Sequence, residues 1–177
     1  FNSDISNWDT SSVVDMSYMF YGASTFDGDL SLWNTTKVTT MKSMFYEATV
    51  FNSDISNWDT SAVVDMSFMF FGASTFDGNL SLWNTRKVTT MDAMFYQATV
   101  FNSDVSNWDT SSVADMSKMF YQASTFDGDL SLWNTRKVTT MYGMFDQATV
   151  FNSDSGALVF NSDISNWDTS RVRGLHI

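Results

Sequence analysis

The chain contains no cysteine and a single histidine, His176, close to its end. Without thiols there is no disulfide framework, no thiol chemistry and no zinc cage, and cysteine usage is silent on the compartment. One imidazole leaves no triad to assemble, and neither G-x-S-x-G nor G-x-x-x-x-G-K-[ST] occurs. Basic residues are scarce: 9 Lys and Arg stand against 20 Asp and Glu, a net charge of -11. Such a surface repels the phosphates of nucleic acid. It suits a salty or extracellular medium. No apolar run approaches the roughly 18 residues of a membrane span, and no signal peptide opens the chain. The first residue is Phe1 rather than Met, which reads as a fragment or a mature form. An enzyme would have to work with carboxylates alone, and glycoside hydrolysis needs two of them facing across a cleft. The expectation is a protein without catalytic residues and without an obligatory cofactor.

What the 177 residues do contain is apolar mass, 44 % of the total with 16 % aromatic, enough for a packed interior. That mass is periodic. Phe stands at 1, 26, 51, 76, 101, 126 and 151, Trp at 8, 33, 58, 83, 108 and 133, and Met pairs recur from 16/19 to 141/144. The period is 25 residues, overlaid by a 50-residue alternation of FNSDISNWDTS and FDGDLSLWNT phrases. A unit of this length cannot bury its own apolar face, so stacking on its neighbours supplies the core.

Within a unit, Asp4 to Trp8 is short and bounded by turn formers, and it reads as a strand. Val13, Met16, Phe20 and Ala23 follow at i, i+3, i+7 and i+10, the stripe of a helix over about 12–21, with Thr10 as its N-cap. The predicted fold class is an α/β repeat, a right-handed leucine-rich-repeat-like solenoid with one short parallel strand and one helix per 25-residue coil. Residues 1–150 make six regular coils, 151–159 an irregular insertion and 160–177 a partial terminal coil. The insertion is visible because A-T-V-F-N-S-D from Ala148 returns as A-L-V-F-N-S-D from Ala157, too soon to circle a coil. In the last stretch Val172 and Leu175 take the places of Val13 and Met16. Phe1, Ile5, Trp8, Val13, Met16, Met19, Phe20 and Ala23 barely change between coils and are expected inside. Ser17 and Tyr18 become Lys42 and Ser43, Asp92 and Ala93, Tyr142 and Gly143, and so face water.

The phrase F-N-x-D-I-S-x-W-D-T-S-x-V-x-x-M-x-x-M-F-x-x-A, over residues 1–154 and 160–172, resembles the repeat of BspA-like leucine-rich-repeat surface proteins, the mycoplasma-lipoprotein type. The resemblance implies a stack with a short parallel strand per coil, a cell-surface or secreted setting, and a role in adhesion or display. It implies no catalytic residues.

Two kinds of column remain open. Asp9, Asn34, Asp59, Asn84, Asp109 and Asn134 alternate charge with amide, as do Asn2, Asp27, Asn52, Asp77, Asn102 and Asp127, which spares the stack like charges about 4.7–4.9 Å apart. Asp4, Asp29, Asp54, Asp104 and Asp129 do not alternate; only Asn79 interrupts them. They are turn carboxylates accepting backbone N–H groups or a row of calcium ligands. The hydroxyl columns Thr10, Thr35, Thr60 and Ser6, Ser31, Ser56 raise ice binding as a further reading. Lys37, Arg86, Lys87, Arg136 and Lys137 are expected to answer Asp15, Asp65 and Asp115, in exposed pairs of little energetic weight. Asn34 and Asn79 lie in glycosylation sequons. Because Phe1 begins in register with the internal coils, its apolar edge lacks a cap. The chain is therefore expected to continue into a longer array or to associate end to end, with a protein or glycan ligand of unknown identity. The overall expectation is a non-enzymatic extracellular repeat protein with a structural, adhesive or display role; the alternative is a calcium- or ice-binding module.

Overall fold

The computed structural model describes residues 3–148, 151–152, 157–158 and 163–173. Successive 25-residue units lie on one another in register, yet the expected secondary structure is missing. Among the described residues there is no helix, and the only strands are β1 (Phe151–Asn152) and β2 (Ala157–Leu158), paired antiparallel. The α/β leucine-rich-repeat-like solenoid is therefore wrong. Neither the strand near 4–8 nor the helix near 12–21 forms.

The reason lies in where the amides go. In the first unit Met16, Tyr18, Phe20 and Gly22 donate their N–H groups not four residues back but to Thr40, Lys42, Met44 and Tyr46 of the next unit, at 3.1, 3.0, 2.9 and 2.6 Å. The amides between them close tight turns, Met19 to the Met16 carbonyl, Tyr21 to Tyr18 and Ala23 to Phe20. The pattern repeats to Met116, Lys118, Phe120 and Gln122, which reach Thr140, Tyr142, Met144 and Asp146. Parallel bridges link Asp15, Thr40, Asp65, Thr90, Asp115 and Thr140 in turn. This sequence of turns needs left-handed backbone at two places per unit: Tyr18 (φ 61°) and Gly22 (φ 65°), then Ser43 (53°) and Glu47 (52°), and so on to Gly143 and Gln147. A right-handed helix tolerates no such residue. The stripe at 13, 16, 20 and 23 is real, but stacked turns bury the same offsets.

On the opposite stretch of each unit the backbone makes only local turns, Trp8 N–H to the Ile5 carbonyl and Val13 N–H to Thr10. Side chains bridge the layers there. Trp33 Nε1 donates to the Ile5 carbonyl of the layer before at 3.1 Å, and Trp58, Trp83, Trp108 and Trp133 do the same. Asp27 Oδ1 accepts the Asn52 N–H and Asn52 Oδ1 accepts the Asp77 N–H, so the alternating Asp/Asn column is a chain of clasps as well as a charge pattern. No buried side-chain nitrogen or oxygen among the described residues lacks a partner.

The interior is aromatic. Phe45 stacks at 3.9 Å on Phe51, which opens the next unit, and at 5.6 Å on Phe70 of that same unit, while the Trp33, Trp58 and Trp83 rings follow at 6.5 and 6.4 Å. Ile5, Met16 and Phe20 are buried as expected, and Val13 and Ala23 pack partly buried against them. Trp8 and Met19 are 56 % and 40 % exposed because nothing described covers the first layer, whereas Trp33 to Trp133 are 3–4 % exposed. Phe1 and Leu175 lie outside the described residues. Past the insertion, Trp167 Nε1 reaches the Leu130 carbonyl over 37 positions instead of the usual 28, and Thr135 reaches Asp168 over 33 instead of 24. The surplus is nine residues in both contacts. The stretch 163–173 thus lies on the sixth layer as any other layer would, with Val172 against the core.

Candidate functional site

With the core repeated almost letter for letter, chemistry that differs between layers is concentrated at four places. Layers of one kind carry Tyr18, Phe68 or Lys118, then Tyr21, Phe71 or Tyr121, then Gly22, Gly72 or Gln122. The other kind carries Lys42, Asp92 or Tyr142, Ser43, Ala93 or Gly143, Tyr46, Tyr96 or Asp146, and Glu47, Gln97 or Gln147. Ser43, Ala93 and Gly143 are buried, against the expectation that they face water; the others are exposed or half-buried on the outer side of the hydrogen-bonded turns. Two of the four places, those of Tyr18 and Gly22, are the left-handed ones. Glycine is accepted there at Gly22, Gly72 and Gly143, yet nine other residues hold φ values of 50–61°. Each costs on the order of 1 kcal/mol against glycine. Side chains are kept at these places against the preference of the backbone.

Along this side runs a ladder that the sequence reading missed. Tyr21, Tyr46, Phe71, Tyr96 and Tyr121 stack at 4.4, 4.4, 4.3 and 4.5 Å, within 7° of parallel. Beside it Gln97 donates to Gln122 and Gln122 to Gln147, both at 2.6 Å. Amide and aromatic ladders of this kind belong to cross-strand stacking at a fixed repeat. The signal was legible in the aromatic that follows Phe20, Phe45, Phe70, Phe95 and Phe120. Asp92 lies half-buried on the same side; burial first, then the neighbouring Asp115, pushes its carboxyl up to about 6, against the pull of Lys118 and Lys42.

The sequence-predicted acids take another margin. Asp4, Asp29, Asp54, Asp104 and Asp129 are exposed, one per layer, and each accepts the N–H of the serine two residues on, at 2.8–3.0 Å. Those serines hold the carboxyls below their usual range, through the backbone bond first in Asp4 and Asp129 and the side-chain bond first in Asp29, Asp54 and Asp104. The turn geometry is the one expected of a turn carboxylate. Among the described residues no three His, Cys, Asp or Glu come together in a group able to hold a metal ion.

Three other expectations change. Thr10, Thr35 and Thr60 are 1–4 % exposed, so they neither cap a helix nor offer an ice-matching surface. Thr10 donates to the Asn34 carbonyl of the next layer and accepts the Asn34 N–H, a clasp between layers. Ser6, Ser31 and Ser56 are half-buried and turned to the Asp column. The cations do not answer Asp15, Asp65 and Asp115, whose oxygens accept from Ser17, Ser67 and Ser117. Lys87 instead acts on Asp59, and Arg86 with Lys137 on Asp109. Asn34 and Asn79 are exposed, each side-chain oxygen turned back to the residue two further on.

No helix among the described residues is long and apolar enough to cross a membrane. No curated protein matches the chain, and no solved structure does. One family model matches nearly all of it, over residues 1–82, 51–158 and 154–176. The repeat, its phrases and this match agree: the chain belongs to the family described as Mycoplasma protein of unknown function, DUF285.

Proposed function

We propose that the protein is a non-enzymatic surface or secreted repeat protein that displays the variable side on an invariant frame, for adhesion to a protein or glycan. The observation that carries this reading is the placement of layer-to-layer change. Lys42, Asp92 and Tyr142 occupy equivalent places, while Phe26, Phe76 and Phe126 in the core never vary. A stack of this kind keeps its stability in the columns and leaves one side free to differ. Exposed Tyr18 and Tyr142, with the Tyr21 ladder, give that side rigid amphipathic rings of the sort that dominate contact surfaces.

Continuation by further layers belongs to the same proposal. The rim with Trp8 and Met19 is the rim that every later layer has covered, and the carbonyls of Asp15, Ser17, Met19 and Tyr21 accept no bond among the described residues.

The test is a protein and glycan array probed with the intact chain. Binding is expected, and it is expected to fall at least tenfold in the Tyr46→Ser, Tyr96→Ser double variant while Thr36→Ser leaves it unchanged. Turnover of a polysaccharide, abolished by one Asp substitution, contradicts the reading.

A further inference from the structure

Most of the positive charge of this acidic chain gathers on one margin of the stack, and one kind of turn puts it there. In the fourth layer the Val88 N–H closes on the Thr85 carbonyl at 2.9 Å, and both side chains are buried. Arg86 and Lys87, the two residues between them, are therefore held outward at the tip. The same turn carries Lys37 in the second layer, Arg136 and Lys137 in the sixth, and Arg171 in the stretch 163–173. With Arg173 beside it, seven of the nine basic residues lie on this margin, all exposed. The turn does not need them: Ser61 and Ala62, or Ser111 and Ser112, occupy its tip in the layers between.

Nor does the chain use their charge elsewhere. Among the described residues none of the seven makes an ion pair or a side-chain hydrogen bond. The carboxylates that share the margin are four, Asp9, Asp59, Asp109 and Asp168, and each already accepts the N–H of the serine two residues on. Seven cations against four acids leave the margin positive. At physiological ionic strength, charges more than about 8 Å away weigh little against that local excess. Two open hollows of about 840 and 800 Å³ lie on it. Arg86, Lys87 and Asn84 line the first with the hydroxyls of Ser61, Thr89, Ser111 and Ser112. Arg171 and Arg173 line the second with Thr139, Thr140 and Ser170. No carboxylate and no aromatic ring lines either hollow.

The spacing of the cations narrows the ligand. A ladder from the Thr39 N–H on Val14 to the Arg173 N–H on Thr139 runs two or three residues from the turn tips, with bonds of 2.8–2.9 Å. Layers in such a ladder stand about 4.7–4.9 Å apart, so cations in alternate layers recur at about 9–10 Å. A polysaccharide extended along the stack advances by a similar length per disaccharide. We propose that this margin binds an acidic polysaccharide with one carboxylate per disaccharide. Its carboxylates meet Lys37, Arg86 with Lys87, and Arg136 with Lys137, where guanidinium groups offer paired N–H donors. Its neutral sugars lie over the serines of the intervening layers. The Asn84 side-chain oxygen accepts the Arg86 N–H at 3.2 Å, which leaves Nδ2 to donate to a sugar hydroxyl. Nucleic acid fits less well, since its phosphates follow every 3.4 Å or so of axis in each strand of a duplex. Single strands are held through aromatic faces, which neither hollow has. None of these residues belongs to the variable side, so the site stands independently of the display reading.

The probe is hyaluronan, which carries one carboxylate per disaccharide, titrated into the intact chain in a calorimeter. Binding is expected at low salt, weaker as salt rises, and absent with carboxyl-reduced hyaluronan. Arg86→Ser with Lys87→Ala, the residues of the preceding layer, is expected to weaken it at least tenfold with unchanged circular dichroism. The Tyr46→Ser, Tyr96→Ser double variant is expected to bind like the wild type. No binding at low salt, or equal binding of the reduced polymer, overturns the acidic ligand. Binding unchanged by the Arg86 and Lys87 substitutions overturns the site. Loss of binding in the tyrosine variant moves it to the variable side and overturns a separate site. Polyuridylate bound as tightly as hyaluronan overturns the assignment to a polysaccharide.

Discussion

Thr10 and Asn34 hold each other across a layer boundary: the Thr10 hydroxyl donates to the Asn34 carbonyl at 3.1 Å and accepts the Asn34 amide at 2.8 Å. One buried side chain thereby does for two backbone groups what a strand ladder does elsewhere in the unit. Thr60 and Asn84 repeat the arrangement. Thr60→Val leaves both groups of Asn84 without partners and is expected to destabilise by about 2–4 kcal/mol in a denaturant titration. Thr60→Ser keeps both bonds and is expected to lose only about 1 kcal/mol, for the methyl group.

Trp83 tests the second bridge. Its Nε1 donates to the Ile55 carbonyl at 3.1 Å in a buried setting. Trp83→Phe keeps most of the ring stacking and removes one of the two bonds to that carbonyl, which still accepts the Trp58 N–H at 3.2 Å. The expected loss is about 0.5–1.5 kcal/mol by thermal or denaturant melting. Trp8→Phe changes a ring that is 56 % exposed and is expected to fall within about 0.5 kcal/mol of the wild type.

Asp92 gives a pH dependence of defined sign. Its carboxyl titrates at about 6 in the folded chain against the usual 3.8, raised by burial and by Asp115 and Asp65 and opposed by Lys118 and Lys42. Its contribution to stability is full below 3.8 and is lost as the pH rises through about 6. Asp92→Asn is therefore expected to stabilise the protein by about 1–2 kcal/mol above neutrality, a figure reduced for its partial exposure, and to give no gain in acid. Melting curves across the pH range check this.

The serine-bound column has the opposite sign. The carboxyls of Asp4, Asp29, Asp54, Asp104 and Asp129 are lowered by their Ser partners, so their contribution is present above 3.8 and is lost as the pH falls through their folded values. With each already occupied by a turn amide, added calcium is expected to leave the melting temperature unchanged. A rise that disappears in the Asp54→Asn, Asp104→Asn variant restores the row of calcium sites.

Much of the interior was legible because every column is sampled once per layer: Ile5, Met16 and Phe20 are buried where the repetition put them. The Asp27–Asn52–Asp77 alternation was legible as a charge pattern, whereas its side-chain bonds between layers were not. The helix was misread because Val13, Met16, Phe20 and Ala23 give the same stripe to a helix and to stacked turns. What separates the two is the acceptor of each amide, and a 25-residue repeat sets an equivalent carbonyl within reach 24 residues on. Gly22, Gly72 and Gly143, at two left-handed places, were the residue-level sign of turns. Thr10 was read as a cap because capping needs only a nearby hydroxyl; its actual partner, Asn34, is a layer away.

The amide of Phe70 decides between the two folds. In a helix it bonds the carbonyl of Met66; in the stack it bonds that of Met94, at 2.9 Å. Scalar coupling through the hydrogen bond, measured by NMR on isotope-labelled protein, reads that partner directly. Coupling from the Phe70 nitrogen to the Met94 carbonyl carbon is the predicted result, and coupling to the Met66 carbonyl carbon contradicts the account.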